Sequence, residues 1–180
     1  MMLKRFIRNE KGLTLIELLA VIVILGIIAA IAIPSIGGLI DNSKKDAHVA
    51  NAQQMINAAK IAVTADKSLI PANGKAKTIS LKYLEDNGYL ETVKDPDGGT
   101  YTKDSNGGVS NDLDITGSPV KDGTLNEPDS DSYVVIINDN TKLYYRVKLV
   151  NGNRGVRTGG TGGAAGKAVK EEDLKRSEVR

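Results

Sequence analysis

The sequence predicts an α+β fold, in which a long N-terminal helix packs on a small antiparallel β-sheet. Three patterns carry the prediction. Val49, Ala52, Ile56, Ala59 and Val63 recur at alternating spacings of 3 and 4, one face of an amphipathic helix. Tyr133 to Ile137 is a short apolar run suited to a sheet interior. Leu143 to Val150 alternates, with Tyr145, Val147 and Leu149 on one face and Tyr144, Arg146 and Lys148 on the other.

Composition bounds what the fold can do. The 180 residues give room for one domain with appendages. With no Cys there are no disulfides, thiolate metal sites or cysteine nucleophiles, and His48 is the only His. A net charge of +2 predicts no specific nucleic-acid partner.

The first element is a different material from the rest. Leu18 to Ile33 is a run of sixteen residues without a charged or polar side chain. Counted from Leu13, the segment spans roughly 31 Å as a helix, the thickness of a bilayer core. Ahead of it, Met1 to Gly12 carries Lys4, Arg5, Arg8 and Lys11 against Glu10, which holds that end on the cytoplasmic side. Three readings compete: a signal peptide cut after Ala30-Ile31-Ala32, an uncleaved signal anchor, and one that accounts for Glu17. A carboxylate at the start of an apolar span is functional by default and needs a partner.

Lys11-Gly12-Leu13-Thr14-Leu15-Ile16-Glu17, behind a basic leader and before an apolar run, resembles the prepilin cleavage motif of type IV pilins and type II secretion pseudopilins. The resemblance implies a cut between Gly12 and Leu13 by prepilin peptidase, methylation of the new terminus, and an assembly role for Glu17. Gly26 and Pro34 fall where the family has its helix-weakening glycine and proline. Leu13 stands where the family usually has Phe; both are bulky and apolar. The resemblance also implies an extended helix with an exposed apolar first half and a buried second half. Removing the leader leaves 20 basic residues against 21 acidic, so the basic excess belongs to the leader.

Beyond Ile40 the helix continues on the Val49–Val63 stripe, with Lys44, Lys45, Asn51, Gln54 and Lys60 available for the wet side. His48 reads as a surface or packing residue, since no second His or Cys exists to share a metal. Leu81 to Asn87 reads as a short helix stopped by Gly88. From 95 to 132, 25 of 38 residues are Asp, Asn, Gly, Pro or Ser, a turn-rich stretch. Asp139-Asn140-Thr141 supplies the turn of a hairpin between the two strands. Six glycines among the twelve residues from Gly155 to Gly166 read as flexible linker, and Lys167 to Arg180 as a charged end that does not dock. The expected divisions are a leader at 1–12, a transmembrane and assembly helix at 13–40, a soluble head at 41–157 and a flexible tail at 158–180.

Nothing in the sequence pairs a nucleophile with a base, so no enzyme and no catalytic residue is expected. Gly166-Lys167 lacks the strand and flanking residues of a phosphate loop. The pairs Asp95/Asp97, Asp112/Asp114 and Asp129/Asp131 offer oxygens of the kind calcium favours, but none completes an EF-hand. Asp95-Pro96-Asp97-Gly98-Gly99-Thr100-Tyr101 is also loosely similar to the D-P-x-G-x-x-Y element of major type II secretion pseudopilins, a subfamily with a calcium loop. No cofactor is expected, with calcium at the acidic loop the one exception worth testing. The reading that results is a structural subunit of a type IV pilus, a membrane precursor and then a surface filament. Its implied partners are its own copies, prepilin peptidase, the membrane and the pilus assembly machinery. The alternatives are a pseudopilin of a secretion or DNA-uptake machine, and a surface-anchored binding module kept by an uncleaved anchor.

Overall fold

A computed structural model describes residues 14–105, 107–128, 130–159 and 166–180. The leader, the Gly12–Leu13 bond, Asp129 and the glycine-rich residues 160–165 lie outside the described residues. The chain forms two compact units, Met1–Asp41 and Asn42–Arg180. One helix, α1 (Leu15–Ala65, 51 residues), contributes to both.

In the second unit the α+β expectation holds. Strands β1 (Lys75–Ser80), β2 (Leu113–Asp114), β3 (Tyr133–Asn138), β4 (Leu143–Val150), β5 (Gly155–Val156) and β6 (Val169–Lys170) pair antiparallel throughout. The order is β2-β1-β3-β4-β5, with β6 also on β4. β5 pairs with Leu149 and Val150 and β6 with Arg146 and Val147, so the two short strands share one edge end to end. A short helix, α2 (Leu81–Asp86), starts where the Ser80 hydroxyl accepts the Tyr83 N–H at 3.1 Å. The β3–β4 hairpin forms as read, with Asp139 Oδ1 accepting the N–H groups of Thr141 and Lys142. Asn140 supplies the left-handed residue, at φ 78°.

The core lies on both faces of the sheet. Ala52, Met55, Ile56, Ala59 and Val63 of α1 meet Ile79, Val134, Ile136, Val147 and Leu149 on one face. Ala76, Tyr133, Val135 and Ile137 pack on Leu125 and Ala168 on the other. The alternation of β4 was read correctly, but its second face is not wet: Arg146 and Lys148 are buried there beneath the 113–128 segment. Lys148 extends over the Tyr133 ring, and Arg146 donates to the carbonyls of Lys121 and Gly123. That cover explains why Tyr133–Ile137 is apolar on every residue.

The tail expectation is corrected for the described residues 166–180. They form β6, and Val169 and Val179 enter the core. The backbones of Arg180 and Gly155 exchange hydrogen bonds at 2.9 and 3.0 Å. Charged residues between these anchors clasp α1. Arg176 forks onto Asp46, while Glu171 reaches Gln53 at 3.2 Å and Lys60 at 2.5 Å. Asp46, Gln53 and Lys60 are seven residues apart and therefore share one helix face. Scattered apolar residues docking on a strand edge need no periodicity, so the segment looked like a tail.

Candidate functional site: an uncovered apolar helix

The first unit offers a surface rather than a pocket. From Leu15 to Ile40 every Leu, Ile and Val side chain is between 48% and 84% accessible. None of the most apolar stretch is buried, and the helix is long and apolar enough to cross a membrane. Gly26 and Pro34 both lie on this exposed stretch. Pro34 sits inside a helix that runs on through it, without the N–H that would bond to Ala30. A Cβ built at Gly26 meets nothing within 4 Å.

At its start the helix is closed by a reciprocal cap. Thr14 N–H and Oγ1 donate to Glu17 Oε2 at 2.8 and 2.7 Å, and Glu17 N–H donates back to Thr14 Oγ1 at 3.3 Å. This is a capping box, which satisfies first-turn donors that a helix otherwise leaves unpaired. The pattern Thr-x-x-Glu before an apolar run was visible in the sequence. Read for processing and for an assembly role of Glu17, it also forms a cap. Of the residues singled out, Glu17 thus has a partner, Thr14; Gly26 and Pro34 do not converge with it. Gly12 and Leu13 are outside the described residues.

A second cluster, in the head, was missed. His48 is fully buried, with Nδ1 2.8 Å from the Tyr101 hydroxyl and Nε2 3.0 Å from Asp97 Oδ2. Asp95 Oδ1 is 3.8 Å from the same Nε2. Arg154 forks onto Asp97 with two hydrogen bonds of 2.6 Å. Asn151 donates to Asp95 at 2.7 Å, and Asn51 to Tyr101 at 3.0 Å. Hydrogen bonds from Arg154 hold the Asp97 carboxyl well below the usual carboxylate range, with His48 adding to the effect against the cost of burial. Burial pushes the Tyr101 hydroxyl up.

His48, Asp95 and Asp97 are close enough to be tested as metal ligands. Calcium takes oxygen ligands, and one of the three donors here is a nitrogen. Both Asp97 oxygens already carry a guanidinium, a fixed positive charge where a cation would need to sit. The arrangement is a satisfied polar network that fastens the 95–101 loop to α1. Asp112 and Asp114 do not join it. Asp112 accepts the Ala72 N–H at 2.8 Å and pairs with Lys77, and Asp114 pairs with Lys75.

The family model described as the prokaryotic N-terminal methylation motif matches residues 7–33. No curated protein and no solved structure matches the chain. The matched stretch runs through the capped start of α1 into its uncovered apolar face, and the same helix continues into a head where it packs on an antiparallel sheet. Over those residues the chain is similar to the N-terminal methylation motif, which supports a likeness to type IV pilins and pseudopilins, and its long helix packed on a small antiparallel sheet is an α+β arrangement as in pilins.

Proposed function

We propose that this chain is a subunit of a type IV pilus, cut between Gly12 and Leu13 by prepilin peptidase and polymerised through the first half of α1. The observation that carries the reading is the uncovered apolar face from Leu15 to Ile40. Such a face is not stable in water, because each exposed apolar Å² forgoes about 25 cal/mol. It needs lipid before assembly and other subunits after it. One surface then serves two states: a single-pass membrane precursor and an extracellular filament of identical copies.

The test is recovery of surface filaments by shearing, with mass spectrometry of the purified subunit. A mature chain that starts at methylated Leu13 and dominates the sheared fraction supports the proposal. A chain starting at Ile33, or an intact leader on a surface protein without filaments, contradicts it. A pseudopilin is the second reading, favoured by the Asp95–Tyr101 element. Filaments confined to the envelope and absent from the sheared fraction would select it.

A further inference from the structure

The sheet of the head has two short free edges. We propose that neighbouring copies join through them in the filament, β2 of one copy pairing with Leu143–Tyr145 of β4 in the next. The inference rests on the filament reading and adds to it a contact outside the apolar half of α1.

The outer side of β4 is taken only in part. β5 pairs with Leu149 and Val150, and β6 with Arg146 and Val147. The β6 lane ends at Lys170, where the chain enters a 3-10 turn, Glu171–Asp173. No described strand continues that lane beside Leu143–Tyr145. A cleft of about 220 Å³ lies there, lined by Lys121, Lys142, Tyr144, Tyr145, Lys170 and Glu171 among others. Backbone groups of an antiparallel strand point alternately to its two sides, so at least one residue of this stretch turns its N–H and C=O outward. At the opposite end of the sheet β2 is two residues long, and β1 is its one partner among the described strands.

Direction, register and charge match the two edges. β2, β1, β3 and β4 alternate in direction, so a head-to-tail step along the sheet brings β2 of the next copy antiparallel to β4. A contact between two different edges repeats from copy to copy instead of closing on a dimer. Leu113 lies opposite Ala76, Ala76 opposite Ile137, and Ile137 opposite Tyr144. This cross-strand row packs on the sheet face away from α1 and is only half-buried at both ends. Extending it sets Leu113 of the next copy beside Tyr144, an apolar–aromatic cross-strand pair. Asp112 and Asp114 flank Leu113, and the Asp114 side chain is 87% exposed. Lys121 and Lys142 stand 6.0 and 5.3 Å from the Tyr144 ring centre, with no ion-pair partner among the described residues. Against them the cleft holds one carboxylate without a cation, Glu172. Charges on short edges deter indiscriminate pairing and select a partner of opposite sign.

Two measurements on the full chain test the inference. The first compares amide hydrogen exchange in wild-type filaments and in subunits held in detergent. The fastest amide among Leu143–Tyr145 should slow roughly tenfold in the filament, as one added hydrogen bond implies, while that of exposed Glu91 should not change. Equal rates at 143–145 in the two states would overturn the inference and leave the filament reading intact. The second is disulfide formation in filaments of Leu113→Cys/Tyr144→Cys. Within one chain the two positions are three strand spacings apart, about 14 Å, too far to bridge. Across the joined edges they come within about 5.5 Å. Oxidised filaments should run as a ladder of dimers, trimers and longer species on a non-reducing gel, and each single variant as monomer. Assembled double-variant filaments that run as monomer would overturn the inference, as would the same ladder from a single variant. The exchange measurement needs no variant and decides alone where the double variant does not assemble. Absence of filaments from wild-type cells would remove the filament reading and this inference with it.

Discussion

Two halves of one helix are treated in opposite ways. Before Asp41, α1 carries large branched side chains that the chain leaves uncovered; after Asn42, Ala52, Met55, Ile56 and Ala59 are fully buried. Both halves are helical, so propensity does not separate them. The difference lies in what each half is offered as a partner. The second half is rich in alanine, and small side chains let the β1–β3–β4 surface pack closely on it. The first half, bulky on every side, has no single seam for a sheet to fill. A helix that is apolar all round is built for lipid or for neighbours on several sides.

Substitutions of one type in the two halves should sharpen that contrast. In the full chain in detergent, Ile56→Ala should cost the head about 2–5 kcal/mol in denaturant unfolding, a large-to-small change in a packed core. Ile28→Ala should leave head stability unchanged. Equal losses would mean that the first half also supports the head.

The strap is the next largest effect. Val179→Ala should destabilise the head by about 1–3 kcal/mol, because the side chain lies in the same cluster as Ile56. The sequence alone reads this end as one that does not dock. A melt unaffected by Val179→Ala would restore that view and detach 166–180 from the core.

Acid dependence tests the clamp on the buried half. Asp97 has a lowered pKa in the folded state, chiefly through Arg154. Its contribution is therefore full above the ordinary carboxylate value, near 4, and is lost as pH falls toward the folded value. In Arg154→Met the melting temperature should drop at pH 7 and fall less steeply than in the wild type as the pH is taken below about 4. Parallel acid limbs in the two proteins would show that the Arg154–Asp97 fork does not contribute. The smallest effect belongs to Arg176→Gln. Its partner Asp46 is exposed, and solvent screens the pair, so no resolvable change in the melt is expected.

The legible parts of the molecule were those with a local period or a local motif. The Val49–Val63 stripe, α2 and the β3–β4 hairpin all repeat or turn within a few residues. The central strand β1 was missed because Lys75, Lys77 and Thr78 make it look like loop. Those lysines pair with Asp114 and Asp112, some 35 to 40 residues away. His48 was unreadable for the same reason, since Asp97 and Tyr101 lie 49 and 53 residues along the chain. At the candidate site the reverse holds. Thr14 and Glu17 are three residues apart, and their pattern was in plain view; reading it for processing and assembly concealed its part in capping. Local signals were read, and contacts across the sheet were not.

The central claim is that the uncovered half of α1 becomes the buried interior of a filament. The chain has no cysteine, so one introduced thiol reports on one position. Leu25→Cys lies on the uncovered half, and Glu91→Cys on the exposed surface of the head. Maleimide labelling of sheared filaments should modify Glu91→Cys readily and leave Leu25→Cys protected until the filament is dissolved in denaturant. Labelling of Leu25→Cys at the rate of Glu91→Cys in intact filaments would contradict the account.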